Sequence, residues 1–391
     1  MSLDLDRSAW RRVKFGDVVR QCKESTDPEI DGVERYVAGE HMETDNLRIS
    51  SWGEVGDGYL GPAFHRKFKA GQVLYGSRRT YLRKVARADF DGVCANTTFV
   101  MESADQGILL PDLLPFLMST ESFHAHSISE SKGSVNPYVN WPDIAKFEFD
   151  LPPLDQQRRI ADLLWSIEHH SSALKAVAQS ATDAYEARLR ESVVDLSSHG
   201  QPVPLKDLCE PERPITYGIV QAGPHVEGGV PYIRVSDMTD GHLSREGMLR
   251  TSQAIADKYA RSTVLSGDLV VALRGPTGLT MTVPEELDGA NLTQGTARLA
   301  IMSGPMVAEF VQVIMNSRWM QTQIARSAKG STFKELSLAA LRSLQIPMPE
   351  LEEMERFLVD LDYVNAARIR LRQEGEAVHA MHSQLMHEVF S

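Results

Sequence analysis

Cysteine is scarce in this chain. Cys22, Cys94 and Cys209 stand far apart, a spacing that offers neither a disulfide framework nor a cysteine-based zinc site, so all three read as buried thiols. No run of eighteen apolar residues occurs, and the opening MSLDLDRSAWRR has no apolar core. Neither a membrane span nor a secretory signal is predicted, and a cytoplasmic protein is expected. Positive charge is also short: 41 Lys and Arg against 53 Asp and Glu leave a net charge of −12. A field of that sign repels phosphate at long range and argues against a simple nucleic-acid binder. The remaining composition, 42% apolar and 24% charged over 391 residues, is that of an ordinary globular protein of two or three domains.

Recognisable catalytic machinery is missing as well. An adenine methyltransferase needs an Asn/Asp-Pro-Pro-aromatic loop and a glycine-rich cofactor turn; Asn136-Pro137-Tyr138 lacks the second proline and no such turn accompanies it. Lys329-Gly330-Ser331 reverses the order of a phosphate loop, whose glycines must precede the lysine so that backbone N–H groups wrap the phosphates. Pro142-Asp143 is followed by Glu148 and Asp150, but no lysine comes after that last pair to complete a nuclease centre. The histidine groups, His124 with His126, His169 with His170, and His379 with His382 and His387, lack a completing cysteine or carboxylate set and read as surface or interface residues. No catalytic residue, no metal and no directly bound cofactor is therefore predicted.

What the chain does have is a repeat. Residues 132–194 recur as 329–391 without a gap, every position moved by 197. Lys132, Pro152, Leu154, Arg159, Leu164, Leu174 and Glu191 meet the same residue types at Lys329, Pro349, Leu351, Arg356, Leu361, Leu371 and Glu388. Each copy is a polar turn, a short apolar run, a proline, and then a long proline-free stretch with apolar residues at helical spacing. In the first copy Ile160, Leu164, Ile167, Ser171, Leu174, Ala178, Ala181 and Tyr185 step by four and three, a heptad seam. Phe357, Leu361, Val364, Arg368, Leu371, Gly375, Val378 and His382 repeat it. Forty helical residues make a rod of roughly 60 Å, longer than one domain covers, so the two rods are expected to pair as an antiparallel coiled coil. Small Ala178 and Gly375 would permit close approach there.

Around the rods the sequence reads as mixed α and β. GQVLYGS, RKVARADFDGVCANTTFVM and AKFEFDL are strand candidates, LPDLLPFLMSTESFHAHSISES is one helix, and Asp155 can cap the rod that follows. VPYIRVSDM, GDLVVALRG and TARLAIM, then a helix over 306–326, repeat the plan after the linker SSHGQPVP. The predicted division is a first globular domain over 1–150, a long helix over 151–198, a second globular domain over 199–347 and a second long helix over 348–391. Basic residues concentrate where the total charge hides them: Arg66, Lys67, Lys69, Arg78, Arg79, Arg83, Lys84 and Arg87 follow one another with no acid between them.

LPPLDQQRRIADLLWSIE, with KGS about twenty residues before it, and its second copy MPELEEMERFLVDLDYV resemble the junction of target-recognition domain and helix in type I restriction-modification specificity subunits. VPYIRVSDMTDGHL followed by GDLVVALRGPTG resembles them too, and the likeness covers nearly the whole chain. The second junction departs from the pattern, with Glu350 for the second proline and Met354 for Gln157, which leaves the start of its helix in doubt. The resemblance implies a non-catalytic subunit that binds double-stranded DNA, each domain reading one half of a split target while the helices set the spacer. It implies two modification subunits as partners, which bind S-adenosylmethionine, and restriction motor subunits where the system cleaves. Arg78, Arg79, Arg83 and Lys84 are the predicted base readers of the first domain, with Lys67, Lys69 and Lys132 as phosphate anchors. Arg234, Arg274, Thr277 and Lys329 are the candidates in the second. A specificity arm for a fused methylase-nuclease, or a two-headed scaffold that does not touch DNA, are the alternatives.

Overall fold

In the computed structural model, which describes residues 5–238, 242–327 and 335–390, the chain forms two compact units. One comprises Met1–Ala176 with Arg372–Ser391, the other Val177–Leu371. Each unit thus holds a globular part and about half of each long helix.

The first unit ties off its globular part by pairing Arg11–Lys14 antiparallel with Glu148–Leu151, directly before the first long helix. Between these strands lie two four-stranded sheets. One runs, in spatial order, Val19–Cys22, Thr98–Ser103, Val73–Gly76 and Val85–Arg87, all antiparallel. The other runs Gly53–Glu54, Arg35–Val37, Gly92–Ala95 and Phe64–Phe68, with its central pair parallel. β-branched and aromatic residues supply these strands, and Val37, Phe68, Leu74, Cys94 and Val100 from both sheets share one buried cluster. Phe15, Tyr75, Phe147 and Phe149 form an aromatic knot around Phe123, whose ring centroid lies 5.3 Å from Phe15, 5.7 Å from Tyr75 and 5.3 Å from Phe147.

The second unit repeats this plan. Gln201–Pro204 pairs antiparallel with Gln345–Met348, so the predicted linker is in part a strand, and its first three residues still belong to the helix. Thr216–Tyr217, Thr296–Leu299, Leu269–Ala272 and Thr280–Thr282 reproduce the order of the first sheet. Arg250–Thr251, Val230–Ile233 and Asn291–Leu292 reproduce three strands of the second, including the parallel pair. The single helix expected in each unit is two. Leu114–Met118 is followed by Glu121–Ser129, and Pro305–Asn316 by Arg318–Ser327. The break has the same cause each time: Thr120 accepts from the Phe123 N–H and Ser317 from the Met320 N–H, side-chain caps that start a new helix.

The long helices span Leu154–His199 and Leu351–Phe390. Asp155 falls in the first turn of its helix, where a carboxylate favours the helix dipole, two places beyond the capping position expected for it. The two starts coincide under the repeat although their chemistry differs. Gln157, 1% exposed, donates to the Ile108 and Pro152 carbonyls and accepts from the Leu110 N–H, all at 2.8 Å. Met354, in the same place, is 2% exposed and packs in an apolar cluster with Phe357 and Leu361. The doubt about the second helix start is thereby removed, since an apolar contact holds it where hydrogen bonds hold the first.

The two helices pack together and run antiparallel. In the second unit the Arg368 guanidinium covers the Tyr185 ring at 4.6 Å, Arg188 meets Asp360 at 3.0 Å and His199 meets Glu353 at 2.8 Å. Ile160, Leu164, Ile167 and Leu174 are buried on one helix, Phe357, Leu361 and Val378 on the other, while Ala178, Val364, Leu371 and Gly375 are half-buried. Close approach does not explain Gly375, because a Cβ built there meets nothing within 4 Å.

Candidate nucleic-acid interface

The strand Val73–Gly76 delivers the chain into a turn fixed from both sides. Ser77 gives its N–H and hydroxyl to the Thr97 carbonyl at 3.1 and 2.6 Å, and the Val139 N–H returns to the Ser77 carbonyl at 2.9 Å. Arg79 is left-handed, at φ +50°; its N–H donates to the Pro137 carbonyl at 2.6 Å and its Nε to Asn136 Oδ1 at 3.0 Å. A short 3₁₀ turn, Thr80–Leu82, follows, anchored by the Thr80 hydroxyl on Ser131 at 2.7 Å. Facing this turn is a tight hairpin in which Lys132 and Tyr138 exchange backbone bonds of 2.8 and 2.9 Å, with Gly133 at φ +89°. Together they leave Arg78, Arg79, Tyr81, Val135 and Tyr138 exposed.

The second unit builds the same turn on the same strand. Gly76 lies opposite Thr98 and Ala272 opposite Thr296, and the Leu273 N–H bonds to the Gly295 carbonyl at 2.8 Å as Ser77 does to Thr97. Arg274 therefore occupies the place of Arg78, and Gly275, at φ +72°, that of left-handed Arg79. The Arg274 side chain lies across Gly295, where a Cβ would come within 2.9 Å of its Nε; a larger residue would displace the guanidinium. Arg274, Gln294, Ser236 and Arg234 line a concavity of about 390 Å³ walled by Ile219 and Val235.

Geometry sorts the predicted residues into two kinds. Lys67 and Lys69 share Glu24 at 3.5 and 3.6 Å, Arg83 is bidentate to Glu121 at 2.5 and 2.8 Å, and Lys84 donates to the Gly39 carbonyl. Lys132 meets Asp143 at 2.9 Å, and Arg234 grips Asp237 at 2.6 and 3.1 Å. By contrast, among the described residues no carboxylate pairs with exposed Arg78, Arg79 or Arg274. Thr277 is half-buried, its N–H bonded to the Gly275 carbonyl at 2.8 Å; Lys329 lies outside the described residues. An exposed lysine–carboxylate pair is worth at most about 1 kcal/mol, so Lys67 and Lys69 can trade Glu24 for a phosphate. The fork of Arg234 cannot be offered without stranding Asp237, whose side chain is only 11% exposed.

Tyr81, Tyr138 and Asn136 beside the first turn, and Gln294 beside the second, were not singled out by the sequence. The signal was available for two of them, because Asn136 and Tyr138 belong to the loop tested above as a methyltransferase motif. Asp143 is held down to about 2 by its hydrogen bonds with Lys132 and Lys146. The histidines also need correction. His124 is buried, neither ring nitrogen has a partner, and burial lowers its pKa; it is a core residue, not a surface one. Among the described residues the metal-ligating side chains that gather are Asp195, His199 and Glu353, on the long helices rather than at the turns.

Residues 10–180 fit the family model described as the type I restriction modification DNA specificity domain. That segment belongs to this family. The chain is also similar to named proteins: the EcoBI specificity subunit of Escherichia coli is 27% identical over 234 residues, covering 53% of this chain and 49% of that protein. The chain thus spans about half the length of that relative. The MjaVIII specificity subunit of Methanocaldococcus jannaschii is 19% identical over 413 residues, covering 96% and 91%. Among solved structures, the type I restriction-modification S subunit from M. genitalium aligns with TM-score 0.63 at 11% identity, over 100% of this chain and 99% of that one. A chain from a structural study of assembly and conformational transition in the type I R-M system aligns with TM-score 0.56 at 18% identity, over 97% of both. These likenesses establish the fold, including the paired long helices. No helix among the described residues is long and apolar enough to cross a membrane.

Proposed function

We propose that this chain is the DNA-sequence specificity subunit of a type I restriction-modification complex, non-catalytic itself, with each globular part reading one half of a bipartite target. The observation that carries this reading is the equivalence of Arg78 and Arg274, two exposed arginines with no carboxylate partner among the described residues, at the same place on the same strand of two units. Arginine presents a planar fork that matches the O6 and N7 edge of guanine in the major groove. Arg79, with Tyr81 and Tyr138 beside it, supports the first reader, and Gln294 the second. Lys67 and Lys69 serve as phosphate anchors, as does Lys132, whose partner Asp143 keeps Lys146 when it is released; such contacts position the protein without reading sequence.

In this reading the long helices act as the ruler that sets the unread spacer, and each half of the chain holds one modification subunit. S-adenosylmethionine and the methyl transfer belong to those partners, which take the target adenine out of the stack; restriction subunits join where the system cleaves. The acidic total is then no obstacle, because the partners contribute phosphate contacts of their own. The test is DNA binding by the purified chain with its modification partner at several salt concentrations. The expected result is one duplex bound about a thousandfold or more tighter than random DNA, with affinity falling as salt rises. Absence of any DNA binding would favour the protein scaffold.

A further inference from the structure

Where the first long helix ends and the second begins, three side chains with no part in DNA reading converge. Asp195 and His199 are one turn apart on the last turns of Leu154–His199, so both face the same way. Glu353 comes from the first turn of Leu351–Phe390 and is half-buried. His199 Nε2 lies 2.8 Å from Glu353 Oε1, its Nδ1 lies 3.5 Å from the Ser198 hydroxyl, and one ligand atom of each of the three residues falls within 4.8 Å of the others.

We infer that Asp195, His199 and Glu353 form a binding site for a first-row divalent cation of the zinc type, which clips the end of one long helix to the start of the other. One imidazole and two carboxylates are a mixed nitrogen and oxygen set that suits zinc, with water completing the shell, and lack the sulfur that would select softer ions. Bonds of about 2.0–2.2 Å are reached by small rotations of the three side chains, because Asp195 and His199 are exposed. His199 Nε2 already faces Glu353 Oε1 at 2.8 Å, and a cation would take the place of the hydrogen between them. The clip lies beside the Gln201–Pro204 and Gln345–Met348 strand pair, so a bound ion would fix both helices where they join the second globular part.

Zinc chloride titrated into the chelator-stripped full chain tests the site, by calorimetry and by thermal melting. One equivalent should bind and raise the melting temperature. His199→Ala and Glu353→Gln should each weaken that binding by at least about tenfold, as even an outer-shell loss does. Because His199→Ala removes the 2.8 Å hydrogen bond and Glu353→Gln weakens it, Asp195→Asn, which keeps it, decides the matter: the apo melt should stay unchanged while zinc affinity falls. A His379→Ala, His382→Ala double variant should bind as the unchanged chain does. No binding at all, or binding that survives Asp195→Asn and His199→Ala, leaves the three groups a plain hydrogen-bonded cluster and overturns the proposal.

Discussion

At the scale of single residues, the basic run from Arg66 to Arg87 shows how far charge alone can be read. Its position was visible in the sequence, but the division between occupied and available side chains was not. The acids that occupy Lys67, Arg83 and Arg87 are Glu24, Glu121 and Asp112, brought in by the fold from outside the run. Lys67→Ala is therefore expected to weaken binding equally across DNA sequences and to flatten its salt dependence by about one charge, measured by titration against target and random duplexes.

Asp143 makes a pH statement. Its folded pKa of about 2, held there by Lys132 and Lys146, lies below the ordinary value near 3.8. The stability it contributes is fully present above that ordinary value and is lost as pH falls from about 4 to about 2. Acid unfolding of Asp143→Asn should lose the part of its pH dependence that falls in this window; an unchanged acid transition would remove the lysine pairs as its cause.

At the scale of elements, the heptad seam made both long helices legible, and their observed starts, Leu154 and Leu351, keep the constant offset of 197. Sheet order was not legible, since nothing local tells Arg35–Val37 that it will lie parallel to Gly92–Ala95. Nor could sequence distinguish a hydrogen-bonded helix start from an apolar one. Gln157→Met, which copies the second junction into the first, should cost about 1–3 kcal/mol, because the half-buried Leu110 N–H and the buried Pro152 carbonyl lose their partner. Equilibrium denaturation measures it, and a neutral result would mean that water or a shifted carbonyl takes over. Gly375→Ala is expected to act in the other direction. With open space around its Cβ position, alanine should stabilise the helix by about 0.5–1 kcal/mol, whereas a loss would restore the close-packing role first assigned to that glycine.

At the scale of the whole molecule, the duplication is what gives the account its form. The repeated rods announced it in the sequence, and although small insertions shift the repeat through the globular parts, GQVLYGSRR and GDLVVALRG at an offset of 196 already set Arg78 against Arg274, which the strand registers bear out. If the helices set the spacer, seven residues added to each of them keep the seam in phase and lengthen the pair by about 10.5 Å. The unread spacer should then grow by about three base pairs while the bases read stay the same. The most direct measurement is a map of methylated adenines in a genome exposed to the chain with its modification partner, repeated for Arg78→Ala and for Arg274→Ala. The account predicts a two-part motif in which each variant relaxes one position, at a cost of about 1–3 kcal/mol, in opposite halves. Two variants that blur the same half, or that weaken every position together, would contradict it.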